Sequence, residues 1–174
     1  MAILPILTAP HPFLKKKALP VTVFDAALAQ TLRDMLDTMY DAKGIGLAAV
    51  QVGIAQRMLV MDVGEDDGGG GPHIIINPVI TWLSEDMSSY NEGCLSVPSH
   101  YSDVVRPAEV KITYQDPTGA QHSLHARGLL STCLQHEMDH LDGILFLDHL
   151  SSLKRTLILR KLIKKQKAAD AVAL

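Results

Sequence analysis

The sequence has very few cysteines, few aromatic residues and no long apolar run. Two of its 174 residues are cysteines, Cys94 and Cys133. Two cysteines exclude a disulfide framework and fit a reducing cytoplasm. No stretch is long and apolar enough to cross a bilayer, and the short apolar start lacks the features of a signal peptide. We therefore expect a cytoplasmic protein with no membrane partner.

The sequence also has no large excess of positive or negative charges. The formal net charge is -3, which argues against DNA as a partner bound through the surface as a whole. Hydrophobic residues make up 47% of the chain, enough for a proper core. With a length in the usual range for one domain, this composition predicts a single domain over residues 1–174.

Hydrophobic periodicity predicts three helices after a proline-rich extended arm at 1–24. The first helix covers 25–42 with Asp25 as its N-cap, a central helix covers about 127–141, and the last covers about 151–168. A polar, glycine-rich loop is expected around 65–71. Segments rich in β-branched residues predict strands at 57–63, 73–83, 104–116 and 120–126.

The central helix carries the sequence His-Glu-Met-Asp-His, an HExxH motif. His136 and His140 lie about one turn apart on one helical face, so both imidazoles can bind the same metal ion. Glu137, between them, can move protons to and from a metal-bound water. The same stripe is otherwise apolar, so the metal face is expected to look into the protein. The alternative is two partly buried histidines satisfied by hydrogen bonds alone.

A catalytic site of this kind needs a third protein ligand. Cys133 lies on the histidine stripe, but it is two turns from His140, roughly 10 Å along the axis. Asp148 and His149 follow the helix in an unpredictable direction. Cys94 sits between glycine and leucine, where a strand or a turn can present its thiolate, a strong ligand for iron, zinc or nickel. We favour Cys94 as the ligand and assign Cys133 to an apolar pocket wall.

Two further segments each allow two interpretations. Gly44–Gln51 combines glycines with small residues and lacks the ending of a phosphate-binding loop. It is either a plain turn and strand, or a strand edge that lines a site with Gln51 pointing inward. The last helix has a strongly basic side, which is either a solvated face or a docking surface for an anionic partner such as RNA. Its basic residues are Lys154, Arg155, Arg160, Lys161, Lys164, Lys165 and Lys167, and its expected apolar face comprises Leu153, Leu157, Ile158, Leu162 and Ile163.

Three segments, Gly44–Gln51, Glu92–Ser96 and Gln135–His140, resemble the signature motifs of the peptide deformylase family in order and spacing. The segment His11–Leu14 and the pair Arg106-Pro107 add to the resemblance. It implies an α+β fold, with antiparallel and mixed β-sheets packed around a central metal-binding helix, and a C-terminal helix. The implied activity is removal of the formyl group from the N-formylmethionine of nascent polypeptides, with release of formate.

The resemblance also implies roles for particular residues. Cys94, His136 and His140 would bind Fe²⁺, for which Zn²⁺, Ni²⁺ or Co²⁺ can substitute. A metal-bound hydroxide would attack the formyl carbonyl, with Glu137 as general acid and base. Gln51 and the backbone N–H of Leu95 would stabilise the oxyanion.

The remaining expectations concern the substrate and its surroundings. By resemblance, main-chain groups of Ile45, Gly46 and Gly93 would pair with the peptide backbone. The methionine side chain would enter an apolar pocket with Ile45, Tyr90, Leu129 and Cys133 in its wall. Glu92 and Arg106 are expected to pair beside the metal. The basic C-terminal helix is similar to one that docks some family members to the ribosome.

Two other functions compete with this interpretation. A zinc endopeptidase of HExxH type would need a downstream histidine or carboxylate ligand, and no convincing candidate appears. A metal-binding module without catalysis would need neither Gln51 nor Glu137, and a structural site is usually closed by a fourth protein ligand. The presence of both residues therefore favours an enzyme.

Overall fold

The computed structural model describes residues 2–65 and 69–172, so part of the expected glycine-rich loop, 66–68, lies outside the described residues. The helices are α1 (Ala26–Asp41), α2 (Gly128–Leu141) and α3 (Ser152–Val172), with short 3-10 helices at Pro12–Lys15, Ala49–Val52 and Phe146–His149. The strands are β1 (Gly46–Ala48), β2 (Met58–Met61), β3 (His73–Leu83), β4 (Met87–Cys94), β5 (Val97–Pro107), β6 (Glu109–Gln115) and β7 (Gln121–Arg127).

Helix α1 forms where the sequence predicts it. The Asp25 side chain accepts a hydrogen bond from the backbone N–H of Leu28 at 2.9 Å, which satisfies a donor that the first turn leaves free. Leu28, Leu32, Met35 and Met39 are buried and form the expected apolar stripe. The prediction of this helix and its N-cap is confirmed.

A five-stranded antiparallel sheet in the order β1-β2-β3-β6-β7 lies between α1 and α2. Alternate residues of β2 pack on opposite sides because successive side chains of a strand point to opposite faces. Met58 and Val60 join the core that contains α1, whereas Leu59 and Met61 join the core that contains α2. β1 is an edge strand, so one side of its backbone is not covered by a neighbouring strand.

A second sheet consists of β4 and β5 alone, and it corrects one prediction. The expected strand at 104–116 does not exist as one element: residues 104–107 belong to β5, and 109–115 form β6 in the other sheet. The two strands are separated by Ala108, whose N–H donates to Asp86 O at 2.8 Å. At the closed end of the hairpin the register shifts between Gly93 and Cys94, which presents Cys94 at the tip.

Most residues of helix α2 are buried, and the helix is packed against β1, β2 and β7. Helix α3 covers a third apolar cluster through Ile158 and Leu162, which are buried. Leu153, Leu157 and Ile163 are instead exposed, so the apolar face of α3 is narrower than expected. Within the described residues, no helix combines the length and hydropathy that a membrane span requires. The predicted α+β fold around a central helix is confirmed.

Candidate metal centre

Three side chains from two elements converge beneath the β4–β5 hairpin. The ligand atoms of Cys94, His136 and His140 all lie within 4.8 Å of one another. Cys94 Sγ is 3.2 Å from His140 Nε2, and the two imidazole rings stand edge to face with centroids 5.0 Å apart. The histidines come from successive turns of α2, and the cysteine comes from the end of β4. The structure therefore brings together the three residues that the sequence singled out.

The other candidate ligands do not join this group. Cys133 is one turn before His136, and its thiol contacts Ile45 O at 3.5 Å. Burial holds the pKa of the Cys133 thiol well above its usual value, which keeps it neutral. Asp148 accepts from Lys15, and His149 contacts Asp139. A downstream ligand of the endopeptidase type is therefore not found among these residues.

His136 is oriented by a buried carboxylate. Its Nδ1 lies 2.8 Å from Glu92 Oε2, which leaves Nε2 for a metal ion. Arg106 holds both oxygens of Glu92, through Nε at 2.6 Å and Nη2 at 3.0 Å. Burial alone would raise the pKa of Glu92, but the hydrogen bonds from His136 and Arg106 bring that pKa below its usual value. The expected pair of Glu92 and Arg106 is present.

His140 is fully buried and has a different environment. Burial lowers the pKa of its imidazole well below the usual value, which favours the neutral form that coordinates metals. Its Nδ1 has no hydrogen-bond partner among the described side chains and backbone. Packing, rather than a second carboxylate, holds this ring in place.

The carboxylate of Glu137 lies against the backbone of Gly46. A Cβ atom at Gly46 would overlap Glu137 Oε1, so the absence of a side chain there allows the close approach. Glu137 Oε2 is buried and, within the described part of the chain, lacks a hydrogen-bond partner. Burial raises the pKa of this carboxyl to about 7. One oxygen of this carboxyl is thus unpaired beside the histidines, and a pKa of about 7 allows the group to take or to give a proton near neutral pH.

Gln51 points its amide towards Cys94. The residue lies on the 3-10 helix after β1 rather than on a strand. Its Oε1 accepts from Ala48 N–H at 2.8 Å, and its Nε2 donates to Ser96 Oγ at 3.1 Å and approaches Cys94 Sγ at 3.6 Å. These contacts fix which end of the amide faces the site. Leu95 lies at the turn between β4 and β5, next to Cys94.

An open cleft of about 410 Å³ leads to this group between β1 and the β4–β5 hairpin. The ring of Tyr101 packs over Gly93, where a Cβ atom would overlap it. The lining residues are Lys43, Gly44, Ile45, Gly46, Gly93, Cys94, Leu95, Val97, Pro98, Ser99, His100, Tyr101, His136 and Glu137.

A smaller cavity of about 110 Å³ adjoins the cleft. Its wall includes all four residues that the sequence analysis assigned to an apolar pocket, Ile45, Tyr90, Leu129 and Cys133. Asn91, Glu92, Gly93, Thr132, His136 and Glu137 complete its wall.

The hydrogen-bonding roles of three residues around the site, Ser96, Asp139 and His149, were not recognised from the sequence. Ser96 accepts the hydrogen bond from Gln51, and its place directly after the Gly-Cys-Leu segment was the available signal. Asp139 and His149 connect to the site through Arg106. These contacts join distant parts of the chain, and no local pattern indicates them.

The donor set fits a divalent transition metal ion. One thiolate and two imidazoles suit iron, zinc, nickel or cobalt, whereas magnesium and calcium prefer oxygen ligands. Three protein donors, without a fourth among the described residues, are typical of catalytic rather than structural sites. An unpaired carboxylate beside three such donors is the arrangement typical of metal-dependent hydrolases.

Comparison with known proteins identifies the family. The family model described as polypeptide deformylase matches residues 3–156, and the chain belongs to this family. The chain is 52% identical over 174 residues to a peptide deformylase of Zymomonas mobilis, with 98% of each chain covered. A peptide deformylase of Brucella suis is 48% identical over 174 residues, with 99% of each covered.

Solved structures agree with this assignment. A peptide deformylase from Legionella pneumophila superposes with a TM-score of 0.89 at 43% identity, covering 97% of this chain and 98% of its own. The enzyme from Ehrlichia chaffeensis in complex with actinonin gives a TM-score of 0.91 at 42% identity, covering 95% of this chain and 98% of its own. The chain is accordingly an enzyme that removes N-terminal formyl groups, and its family depends on a metal ion.

Proposed function

We propose that the chain hydrolyses the formyl group of N-formylmethionine at the start of nascent polypeptides and releases formate. The observation that carries this proposal is the Cys94, His136 and His140 group at the floor of an open cleft, with the unpaired Glu137 carboxylate beside it. Because translation produces the substrate in the cytoplasm, we place the enzyme there. We also propose that residues 1–174 form one domain.

Cys94, His136 and His140 would hold the metal ion, with ferrous iron as the expected metal and zinc, nickel or cobalt as substitutes. When bound, such an ion supplies Lewis acidity and lowers the pKa of a coordinated water. The thiolate reduces the net positive charge of the centre, and Glu92 orients His136 through Nδ1.

Glu137 would move the proton. Its unpaired Oε2 can take a proton from the attacking water and then deliver it to the nitrogen of the departing amino terminus. Gly46 supports this role because it lets the carboxylate lie directly against the edge strand. A proton on the leaving nitrogen is needed, since an amine anion is a very poor leaving group.

Gln51 and the backbone N–H of Leu95 would stabilise the negative charge that develops on the formyl oxygen. The Gln51 amide is already oriented by Ala48 and Ser96, so no reorganisation is required during the reaction. Both groups neighbour Cys94, which places the formyl carbon close to the metal ligands.

The peptide backbone would add to the free edge of β1 and contact Gly93 on the opposite wall, as extended peptides do at exposed sheet edges. Ile45 O already accepts from Asp62 N–H at 2.9 Å, so the Ile45 N–H is the group left for the substrate. The unbranched methionine side chain would enter the cavity walled by Tyr90, Leu129 and Cys133, because flexible methionine fills narrow apolar spaces well.

The test is formate release from two peptides by protein purified without oxygen. Formyl-Met-Ala-Ser should react at least about tenfold faster than formyl-Gly-Ala-Ser, because the small cavity contributes binding only to the methionine. Prior incubation with a metal chelator should abolish release, and ferrous iron should restore it. Equal rates for the two peptides would contradict the pocket assignment, and release unaffected by chelation would contradict the metal centre.

We further propose that the ribosome is a partner of α3. Arg160, Lys161, Lys164, Lys165 and Lys167 are exposed on this helix, and rRNA supplies matching negative charge. Truncation is a poor test because it would also remove the buried Ile158 and Leu162. Exchange of Lys164 and Lys165 for glutamate is cleaner, with the exposed Lys16 and Lys17 exchanged as the matched control.

Co-sedimentation with ribosomes at several salt concentrations separates the outcomes. The α3 variant should sediment less than the parent, and the control variant should sediment normally. Added salt should weaken binding of the parent, because released counterions drive such contacts. Equal sedimentation of all three proteins would contradict a docking role for α3.

A further inference from the structure

The 3-10 helix Phe146–His149 contacts the surroundings of His136 at both of its ends. At its start, the buried ring of Phe146 stacks on the His136 ring, with centroids 6.1 Å apart and planes 26° from parallel. At its end, His149 Nε2 lies 2.8 Å from Asp139 Oδ2. The second contact leads back to His136 through a chain of charged groups.

The groups in this network are joined by five hydrogen bonds of 2.6–3.0 Å. His149 contacts Asp139 Oδ2, and the same oxygen accepts from Arg106 Nη1 at 2.8 Å. Arg106 holds Glu92 through two further nitrogens at 2.6 and 3.0 Å. Glu92 then accepts from His136 Nδ1 at 2.8 Å. One continuous network thus joins a half-exposed histidine at the surface to an imidazole at the centre.

The geometry of Arg106 explains why the outer links matter. A guanidinium is planar and rigid, so fixing one of its nitrogens fixes the direction of the others. Two nitrogens of Arg106 bind Glu92, and the third is anchored by Asp139. Without that anchor the plane can tilt, and Glu92 and the His136 ring can tilt with it.

His140 cannot compensate for such a tilt. Its Nδ1 has no hydrogen-bond partner among the described residues, so it has no corresponding network. Of the two histidines in the metal-binding group, only His136 has its ring orientation fixed by a hydrogen bond to Nδ1 from a described residue.

We propose that Asp139 and His149 are positioning residues for the metal site: through Arg106 and Glu92 they fix the orientation of the His136 ring. This inference rests on the proposed metal centre and adds two residues to its support. Neither side chain touches the metal ligands directly, so both act on metal retention and ligand geometry rather than on the reacting atoms.

Substitutions of His149 can separate its hydrogen bond from its bulk. His149→Phe keeps a ring but removes the donor to Asp139. His149→Gln places an amide nitrogen near the position of Nε2 and keeps the donor. The matched control is His125, whose Nε2 lies 2.6 Å from Glu109 and whose side chain is 33% exposed, against 35% for His149. The pair His125–Glu109 has no hydrogen bond to the metal-site network among the described residues.

The experiment measures cobalt in the full-length protein, not catalysis. Each variant is loaded with Co²⁺, the thiolate-to-cobalt absorption band is recorded, and metal release to an excess of chelator is followed at constant pH. His149→Phe should release cobalt about threefold to tenfold faster than the parent, below the roughly 10–100-fold effect of losing a direct partner of a ligand. Asp139→Asn should release it faster still, with a shifted absorption band.

His149→Gln should return both the release rate and the absorption band to those of the parent, and His125→Phe should leave both unchanged. The proposal fails if His149→Phe matches His125→Phe, or if His149→Gln is as impaired as His149→Phe. Formate release by the parent remains a separate result, so the positioning role can fail while the deformylase function stands. A parent protein that binds no cobalt would overturn the metal centre itself.

Discussion

Helices α2 and α3 are both rich in polar residues, but they place those residues in opposite surroundings. In α2, Gln135, His136, Glu137 and His140 are buried. In α3 the lysines from 161 onward are exposed, and burial is limited to a few apolar side chains such as Ile158 and Leu162.

Buried and exposed polar side chains have different requirements. A buried polar group loses its hydration, so each one needs a partner or shifts its pKa. Gln135 is satisfied by Pro107 O and Ser131, and His136 by Glu92, whereas Glu137 keeps one unpaired oxygen. Exposed lysines need no partner. Glu137 is therefore the one carboxylate of α2 with a buried, unpaired oxygen among the described residues, whereas the exposed lysines of α3 from 161 onward remain solvated.

The largest effect should follow the loss of the Glu137 carboxylate. Glu137→Gln keeps the size of the side chain but removes its basicity, so formate release should fall by about 1,000-fold, within the range for general acid–base groups. Metal content, measured on the same sample, should be unchanged. Full activity in this variant would contradict the proton-transfer role.

Replacing each cysteine by serine should distinguish the proposed metal ligand, Cys94, from the proposed pocket residue, Cys133. Cys94→Ser should weaken metal binding by at least about 100-fold, more than the usual effect of losing an outer partner. Cys133→Ser should keep the metal and chiefly weaken binding of the methionine side chain, seen as a higher KM. Competition with a chelator measures the first effect. Equal metal loss in both variants would mean that the ligand set is wrong.

Replacing a buried arginine should reduce the free energy of unfolding far more than replacing an exposed one. Arg106→Met leaves the Glu92 carboxylate buried without its cation and should destabilise the protein by about 3–5 kcal/mol. Arg127→Met removes a largely exposed ion pair with Glu109 and should change stability little. Urea denaturation of the metal-free proteins measures both. Similar stability of the two variants would contradict the structural role of the buried network.

The smallest effect concerns neighbouring residues of α3. Ile158→Ala empties a buried position and should cost about 2–4 kcal/mol of stability. Leu157→Ala, at a side chain that is 49% exposed, should change stability by no more than about 0.5 kcal/mol. Thermal denaturation checks both, and deformylation at 25 °C should be normal in each folded variant. An equal loss of stability would mean that α3 packs differently.

Local sequence signals were sufficient for the helices and for the pairing of the two histidines on one face of α2. Asp25 caps α1 through a contact three residues away, and the histidines of α2 are one turn apart, so both arrangements follow from helical geometry. The position of Cys94 beside these histidines depends on a long-range contact, and the sequence favoured Cys94 over Cys133 because Cys133 lies two turns from His140 on the same helix.

The β4–β5 hairpin and the outer network were not predictable in the same way. β4 consists mostly of polar and small residues and contains no β-branched residue, so it lacks the usual sequence signal of a strand. The apolar pattern ran across Pro107 and Ala108, which hid the boundary between β5 and β6. The contact between Asp139 and His149 depends on a 3-10 turn whose direction no local pattern fixes.

The most direct test of the metal centre is anomalous diffraction from crystals of the protein purified and grown without oxygen. Data on both sides of the iron absorption edge locate the metal regardless of activity. We predict one strong peak in contact with Cys94 Sγ and with Nε2 of His136 and His140, beside the Glu137 carboxylate. A peak at Cys133, or at any site without the two histidines, would contradict the account.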